Sequence, residues 1–368
     1  MEPRICREGI LKLKPYIPGK PIEEVEREYG VKDIIKLASN ENPLGASPKA
    51  VEAINRMAWN VGLYPDGSCY VLRNAVAEKL GVKPDNLTFG AGSDEVIHVI
   101  ALALLERGDE VISCDPTFVQ YEAAAVLCEC AYHKVPLKNH TYDLEGIAEK
   151  LNAHTKLVFI ANPNNPTGTM VTHAEVERLL SRMPERAVLV LDEAYYEYNE
   201  RSDFPRSVEW VLEGRNVIVL RTFSKIYGLA GLRVGYGIAR PDIIGYLEQV
   251  RQPFNVSSIG QAAATASLDD YEHVERSRRL NTEGRRYLYR EFDRLGLPYV
   301  PSEANFVWVD LKEDSVRVFK ELLRRGVIIR TGDIFGMPTW ARVTVGKPEE
   351  NKRFIAALEE VIASLHAE

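Results

Sequence analysis

Features that mark several large protein classes are missing from this sequence. Its 368 residues contain 46 Lys and Arg against 53 Asp and Glu, so the basic surface typical of nucleic-acid-binding proteins is not expected. The most apolar run, 96–105, is too short to span a bilayer, which takes roughly 20 residues. The first residues carry charges where an export signal needs an apolar stretch. We therefore expect neither nucleic acid nor a membrane among the partners.

Cysteine and histidine are too few and too scattered to suggest a metal site. The five cysteines lack the spacing of a zinc site, and free thiols favour a reducing compartment, so we expect a cytoplasmic protein. There is no H-E-x-x-H motif and no pair of histidines at ligand spacing, so no metal is expected. The Gly-x-Ser-x-Gly motif of many hydrolases is also absent.

Short apolar runs alternate with segments of helical periodicity over most of the chain. The apolar runs are 87–89, 110–113, 157–160, 188–191 and 217–220, and the periodic segments include 95–106, 119–128 and 173–182. This order predicts β-α-β units and a mostly parallel sheet. Apolar runs without alternation are typical of strands that are buried on both faces.

The two ends of the chain have a different pattern. The first 35 residues contain several prolines and then an acidic helix at 22–29. The elements predicted after residue 240 are a long charged helix within 259–295, strands at 305–311, 327–329 and 342–345, and helices at 316–323 and 348–366. We therefore predict an N-terminal arm (1–35) that packs with a small α+β domain (251–368), and a large domain (36–250) between them.

Four loops with polar side chains follow predicted strands, and loops at the carboxyl ends of parallel strands form the usual ligand site of such sheets. The first, 90–95, reads Gly-Ala-Gly-Ser-Asp-Glu, and its glycines and helix start suit a phosphate group. An ordinary turn with a helix cap is the alternative. A dinucleotide-binding motif is excluded because Glu95 stands where that motif needs a glycine. The second loop, 162–168, presents amide side chains in a turn that prolines and a glycine constrain.

The other two loops contain an acid and an amine. Asp192 ends a strand that should be buried, where a carboxylate is costly unless a cation meets it. The alternative is that Asp192 caps the following turn. Glu193 and Glu197 are interpreted as a solvated face or as local salt-bridge partners. Lys225 directly follows another buried strand, and burial there would make its amine a nucleophile or a Schiff-base former, although a solvated lysine is the alternative.

Together these loops resemble the pyridoxal-phosphate site of the fold-type I aminotransferases. The motifs that carry the resemblance are Asn165-Pro166-Thr167-Gly168, Asp192-x-x-Tyr195, Ser224-Lys225 and Arg233-x-Gly235. Within this superfamily the chain is most similar to the histidinol-phosphate aminotransferase family, on segments 13–16, 39–43, 64–66, 221–225 and 341–346. Related aromatic aminotransferases share several of these segments.

The resemblance implies an α/β fold of the pyridoxal-phosphate transferase type and pyridoxal 5′-phosphate as cofactor. Lys225 would bind the cofactor covalently and move the substrate proton, Asp192 would keep the ring nitrogen protonated, and Tyr195 would hydrogen-bond the phenolic oxygen. Further cofactor contacts are implied for Gly92, Ser93, Phe118, Asn165, Thr222, Ser224 and Arg233, and for Tyr64 of a neighbouring subunit. A homodimer is therefore expected. Phe118 stands where the family more often has tyrosine, which keeps the ring stacking but loses the hydroxyl.

The resemblance also implies substrate contacts, at Tyr16, Asn42, Arg330 and Arg342. Arg342 matches an arginine that binds a substrate carboxylate, whereas Arg330 and Tyr16 match positions near a substrate phosphate, with a surface salt bridge as the alternative for Arg330. The expected reaction exchanges the amino group between glutamate and imidazole-acetol phosphate, giving 2-oxoglutarate and histidinol phosphate in histidine biosynthesis. The alternatives are an aromatic amino acid aminotransferase, a phospho-amino-acid decarboxylase of the same fold, and a cofactor-binding regulator.

Overall fold

Three β-sheets and the helices packed on them form an α/β fold in the computed structural model, which describes residues 5–13, 15 and 19–367. The strands of this part of the chain are β1 (Ile35–Lys36), β2 (Leu87–Gly90), β3 (Glu110–Asp115), β4 (Ala131–Pro136), β5 (Thr155–Ala161), β6 (Val188–Asp192), β7 (Val217–Thr222), β8 (Gly235–Ile238), β9 (Tyr299–Val300), β10 (Phe306–Asp310), β11 (Val327–Ile328), β12 (Arg330–Thr331) and β13 (Trp340–Thr344). Its α-helices are α1 (Ile22–Tyr29), α2 (Pro48–Met57), α3 (Tyr70–Leu80), α4 (Ser93–Leu104), α5 (Gln120–Leu127), α6 (Leu144–Lys150), α7 (His173–Leu180), α8 (Ser207–Leu212), α9 (Pro241–Val250), α10 (Ser258–Leu268), α11 (Tyr271–Leu295), α12 (Ser315–Arg324) and α13 (Pro348–Ala367).

A seven-stranded sheet in the order β2-β8-β7-β6-β5-β3-β4 forms the centre of the fold. All of its strands are parallel except β8, which is antiparallel to both of its neighbours. The five apolar runs of the sequence are confirmed as β2, β3, β5, β6 and β7. Every residue of β2, β6 and β7 is buried, as expected for strands whose two faces are both covered.

The sequence did not predict β4 or β8. Strand β4 is an edge strand whose side chains are mostly exposed or half-buried, so it has no apolar run. Strand β8 contains Gly235 and Gly237, and glycine weakens the signal of a strand. The structure explains the first of these glycines, because a Cβ on Gly235 would lie 2.3 Å from the backbone nitrogen of Ser93. This close approach brings the loop at 90–93 against the end of β8.

Side chains cap the N-termini of several helices, but α4 has no such cap. Thr172 and Glu175 form a reciprocal capping box at the start of α7, and Ser47 caps α2. The residue before α4 is Gly92, which offers no side chain to the free N–H groups of that helix. The start of α4 is therefore open to an anionic ligand. None of the helices in the described part of the chain is long and apolar enough to cross a bilayer.

The C-terminal part of the chain contains a four-stranded antiparallel sheet in the order β12-β13-β10-β9. The long charged helix predicted within 259–295 is α11, which the shorter α10 precedes. Near the N-terminus, β1 pairs in parallel with β11, and Val25 and Ala38 share an apolar cluster with Leu323 and Ile328. Residues 22–38 thus pack with the C-terminal part of the chain, whereas the predicted domain boundaries stay a prediction.

Candidate active site

A cavity of about 300 Å³ lies at the carboxyl ends of β5, β6 and β7. It brings together most of the residues singled out in the sequence, although they come from distant positions in the chain. These residues are Ser93, Phe118, Asn165, Asp192, Tyr195, Thr222, Ser224, Lys225, Arg233, Arg330 and Arg342. The predicted convergence of the four loops is therefore observed.

Lys225 contributes a partly buried amine to this cavity. Its Nζ donates to the carbonyl oxygen of Ser39 at 3.3 Å and lies 5.6 Å from the centre of the Tyr195 ring. Burial, and secondly the positive charge of Arg342, lower the pKa of Lys225 to about 8. A larger fraction of this amine is neutral near pH 7 than of an ordinary lysine, which favours its use as a nucleophile.

Asp192 contributes a buried carboxylate with one oxygen that lacks a partner. The side chain ends β6 and is only 5% exposed. Its Oδ2 accepts a hydrogen bond from the Tyr121 hydroxyl at 2.7 Å, whereas Oδ1 has no hydrogen-bond partner among the described residues. Burial raises the pKa of this carboxyl to about 6. Because an unsatisfied buried acceptor costs about 1–3 kcal/mol, the geometry favours a ligand that donates a hydrogen bond to Oδ1.

Tyr121 is a site residue that the sequence analysis missed. Its side chain is fully buried and stacks on Phe159, with ring centres 4.6 Å apart and planes nearly parallel. The stacked ring places the hydroxyl at Asp192, while Phe118 meets the Tyr121 ring edge-on at 5.7 Å. The only available signal was its position in the periodic segment 119–128, which does not distinguish a polar contact from core packing.

The open start of α4 and Arg233 together form a cradle for an anion. Arg233 pairs with Asp94 at 3.6 Å, and its Nη1 lies 3.5 Å from the Ser224 hydroxyl. A Cβ on Gly92, whose φ is +83°, would lie only 2.5 Å from the guanidinium. Free N–H groups, a hydroxyl and a guanidinium are the donors that bind a phosphate.

Glu95, which excluded the dinucleotide motif, holds the shape of this loop. Its Oε2 accepts from the backbone N–H of Ala91 and from Nδ2 of Asn255, the latter at 2.7 Å. The same Asn255 nitrogen also donates to the carbonyl oxygen of Phe89. Glu95 and Asn255 thus connect the loop to the end of β2, and Ser93 of the same loop lines the cavity.

Two arginines lie side by side at the opposite wall of the cavity. Arg330 on β12 and Arg342 on β13 are direct cross-strand partners, so their side chains leave the same face of the four-stranded sheet. Arg342 donates to Oδ1 of Asn165 and to the carbonyl oxygen of Ala38, and it packs over the Phe306 ring at 5.4 Å. Two neighbouring guanidinium groups suit a ligand with two anionic groups.

Three of the predicted site residues do not line the cavity of the described chain. Asn42 is buried behind it, where its Nδ2 donates to the carbonyl oxygen of Ile226 at 2.7 Å and to the Ser277 hydroxyl at 2.8 Å. Tyr64 is 85% exposed and stacks on Phe254 at 5.0 Å. Gly92 contributes to the cradle through its close contact with Arg233 rather than as a lining residue. One more predicted site residue, Tyr16, lies outside the described residues.

Glu193 does not belong to a solvated face, so that interpretation is wrong; it is a salt-bridge partner, as the other interpretation expected, but of a residue 28 positions away rather than a local one. Its side chain is fully buried and accepts from Nε and Nη2 of Arg221 at 3.0 and 2.8 Å. The Arg221 guanidinium also lies 3.5 Å above the Tyr196 ring. Burial likewise raises the pKa of Glu197, to about 7. The pair between Glu193 and Arg221 joins the ends of β6 and β7. Strand β6 ends with Asp192, and β7 is followed by Lys225.

Comparison with known proteins identifies relatives over nearly the whole chain. The family described as "Aminotransferase class I and II" matches residues 32–358. A histidinol-phosphate aminotransferase from Moorella thermoacetica is 54% identical over 97% of this chain and 93% of its own length. Histidinol-phosphate aminotransferase 2 from Carboxydothermus hydrogenoformans is 49% identical over 98% of this chain and 100% of its own length. The crystal structure of histidinol-phosphate aminotransferase from Sinorhizobium meliloti in complex with pyridoxal-5′-phosphate is 30% identical, with a TM-score of 0.91 over 99% of both chains.

Proposed function

Because the chain belongs to the class I and II aminotransferases and has their fold-type I architecture, we propose that it is a pyridoxal-phosphate-dependent histidinol-phosphate aminotransferase. It would transfer the amino group between histidinol phosphate and 2-oxoglutarate, in the cytoplasm and as a step of histidine biosynthesis. The names of relatives that are 49% and 54% identical support the substrate. The observation that supports the chemistry is the shared cavity of the Lys225 amine and the partnerless Asp192 oxygen.

The residues of the cavity fit pyridoxal phosphate at three separate points. The partnerless Oδ1 of Asp192 suits a protonated ring nitrogen, the Lys225 amine suits the aldehyde, and the cradle at Gly92, Ser93 and Arg233 suits the phosphate. When bound, this cofactor supplies a ring that accepts electrons from the substrate carbon. The role of the chain is to hold the ring, orient it and handle the proton.

Lys225 and Asp192 handle protons at opposite ends of the cofactor site. A lysine with a pKa near 8 can take up a proton at Nζ and give it back near neutral pH, as proton transfer between substrate and product requires. Asp192 is mostly ionised above its pKa of about 6, and a cation at Oδ1 would stabilise the carboxylate further. The low exposure of Asp192 strengthens this contact because water does not compete for it.

The adjacent arginines support this substrate pair, because 2-oxoglutarate carries two carboxylates and histidinol phosphate carries a phosphate. Arg342 would bind a carboxylate of 2-oxoglutarate or glutamate, and Arg330 would bind the second carboxylate or the phosphate of histidinol phosphate. Both alternatives use 2-oxoglutarate, so the amino donor distinguishes them: an aromatic amino acid presents a carboxylate, for Arg342, whereas histidinol phosphate presents a phosphate, for Arg330. Direct substrate contacts of Tyr16 and Asn42 stay predictions.

A homodimer with Tyr64 contributed across the interface is part of the proposal. Large apolar side chains are exposed along one stretch of sequence, at Val51, Trp59, Val61, Leu63, Tyr64, Tyr70 and Val71. Exposed apolar surface of this kind is typical of a protein interface. Tyr64 lies outside the cavity of its own chain, which is consistent with a contact in the cavity of a second copy.

A panel of amino donors tests the proposal. The purified protein with pyridoxal phosphate and 2-oxoglutarate is given histidinol phosphate, histidinol, tyrosine or phenylalanine, and glutamate formation is measured. We expect the largest kcat/KM for histidinol phosphate. A larger value for tyrosine or phenylalanine would indicate an aromatic aminotransferase, and release of carbon dioxide from a phosphorylated amino acid would indicate a decarboxylase.

A further inference from the structure

Asn40 is a buried polar residue that connects separate parts of the site. It lies between β1 and α2, is 1% exposed and lines the cavity. Its Nδ2 donates to the hydroxyl oxygen of Tyr195 at 3.0 Å, and its Oδ1 accepts from the hydroxyl of Thr344 at 2.9 Å. Asn305 donates to its carbonyl oxygen at 3.0 Å. The Asn40 amide thus links Tyr195, which follows β6, to the last residue of β13.

The Thr344 contact determines which way the Asn40 amide faces. The backbone N–H of Asn40 donates to the Thr344 hydroxyl oxygen at 3.0 Å, and this hydroxyl gives its own proton to Oδ1 of Asn40. With Oδ1 engaged there, Nδ2 faces Tyr195. An amide nitrogen only donates, so the Tyr195 oxygen accepts, and its single proton must be donated to another acceptor.

On the basis of the proposed function, we propose that Asn40 is a positioning residue that makes Tyr195 a hydrogen-bond donor to the phenolic oxygen of pyridoxal phosphate. Asn40 itself need not touch the reacting atoms. A hydrogen bond donated to the phenolic oxygen favours its ionised form. The bound cofactor should therefore lose its proton at a lower pH than it would without the Asn40 contact.

Other charged groups also influence this titration, and the native ones are the same in every variant compared below, whereas Asn40→Asp adds a carboxylate of its own. Besides Lys225, the charged residues that line the cavity are Glu41, Asp94, Asp192, Arg233, Arg330 and Arg342. Their fields shift the midpoint of the wild-type protein. They do not contribute to the difference between two variants that keep all of them.

The test is a pH titration of the absorption spectrum of the bound cofactor without substrate, in the wild type and in two variants of Asn40. Asn40 has a φ of +56°, which glycine adopts without strain, so Asn40→Gly removes the side chain at little cost to the backbone. Asn40→Asp keeps the shape and the bond from Thr344, but its carboxylate only accepts and draws the Tyr195 proton to itself. We expect the midpoint to rise by about half a pH unit to one unit in Asn40→Gly, the size of one hydrogen bond, and at least as much in Asn40→Asp.

A matched control and a second background separate positioning from a general structural effect. Asn305→Ala removes a neighbour of the Asn40 backbone but not the Asn40 amide, and should leave the midpoint unchanged. In a Tyr195→Phe background, Asn40→Gly should no longer raise the midpoint. An equal increase in both backgrounds, or no increase in the wild-type background, would overturn the inference.

The same spectra distinguish a failure of this inference from a failure of the proposed function. A wild-type protein that shows no absorption of bound cofactor would overturn both. A wild type that binds the cofactor, with Asn40 variants that titrate at the wild-type midpoint, overturns only the role of Asn40. Should Asn40→Gly fail to fold, Asn40→Asp is compared in the wild-type and Tyr195→Phe backgrounds. Its added charge raises the midpoint in both, and only the loss of the Tyr195 hydrogen bond makes the rise larger in the wild-type background; an equal rise in both would overturn the inference.

Discussion

The two faces of the central sheet at the ends of β6 and β7 each carry a buried acid and a cationic side chain, but only on one face are the two paired with each other. On the cavity face, Asp192 has one oxygen without a hydrogen-bond partner among the described residues, and the Lys225 amine donates to the carbonyl oxygen of Ser39. On the other face, the neighbouring Glu193 and Arg221 are buried and form an ion pair, in which two hydrogen bonds from Arg221 end on Oε2 of Glu193 while its Oε1 has no hydrogen-bond partner among the described residues. Side chains of successive strand residues alternate between faces, so one strand end supplies both arrangements. Burial with an unsatisfied oxygen is therefore common to both acids. Asp192 differs because it lines the cavity and no guanidinium of the described chain binds it, and these two features make it the candidate for binding a cationic ligand.

The largest expected effect comes from removing the amine of the cavity face. Lys225→Ala should lower the rate of amino transfer by at least about 10³-fold, because both the covalent attachment and the proton transfer depend on its Nζ. Borohydride reduction followed by peptide mapping should modify Lys225 in the wild-type protein. Lys79 is the matched control: burial also lowers its pKa, but it lies outside the cavity and donates to the carbonyl oxygen of Leu268. Labelling of any lysine other than Lys225 would contradict the assignment.

Breaking the ion pair between Glu193 and Arg221 should affect stability first. Glu193→Gln leaves the buried Arg221 without a countercharge and should lower the free energy of unfolding by roughly 3 kcal/mol. Urea unfolding of the cofactor-free protein measures this loss. Glu177→Gln removes the half-exposed partner of Arg215 and should cost less than about 1 kcal/mol. Equal losses in the two variants would show that burial does not make the pair between Glu193 and Arg221 more important for stability than an exposed pair.

Asp192→Asn should have the opposite effect on stability together with a loss of activity. The folded protein raises the pKa of Asp192 above its ordinary value, so the charged carboxylate destabilises the cofactor-free protein as the pH rises through about 6. The variant should gain roughly 1–3 kcal/mol in free energy of unfolding at pH 7, and less at pH 5. Its turnover should fall by about 10²-fold or more although the cofactor still binds, as absorbance and rate measurements can check. A variant that is both less stable and fully active would refute the contrast between Asp192 and Glu193.

The smallest effect concerns the arginines, which differ in their position relative to the cavity. Arg221 is committed to Glu193, whereas Arg330 lines the cavity beside Arg342. Arg330→Ala should lower kcat/KM for histidinol phosphate by about 10- to 100-fold, the effect of one charge-assisted contact. Tyrosine, which has no phosphate, should lose less. An equal loss for both donors would argue against a phosphate contact at Arg330.

The sequence predicted those parts of the site in which a reactive side chain and the apolar run that positions it lie in one short segment. Asp192 and Lys225 each follow an apolar run, so their burial and their location at one edge of the sheet follow from strand order. The partner of Glu193 could not be read in this way, because Arg221 lies 28 residues further along and contacts it only through sheet pairing. Tyr121 and Asn40 were missed for the same reason, since their hydrogen bonds span 71 and 155 positions.

The short segment 38–40 has a consequence for how the protein reaches its active state. The carbonyl of Ala38 binds Arg342, the carbonyl of Ser39 binds Lys225, and Asn40 binds Thr344. Two of these contacts join residues that are 304 positions apart, so this wall closes only after the intervening chain has been arranged. The ability to capture the cofactor should accordingly arise late in refolding, after most helix content has returned. Recovery of the bound chromophore would then report the completion of the native structure more faithfully than circular dichroism does.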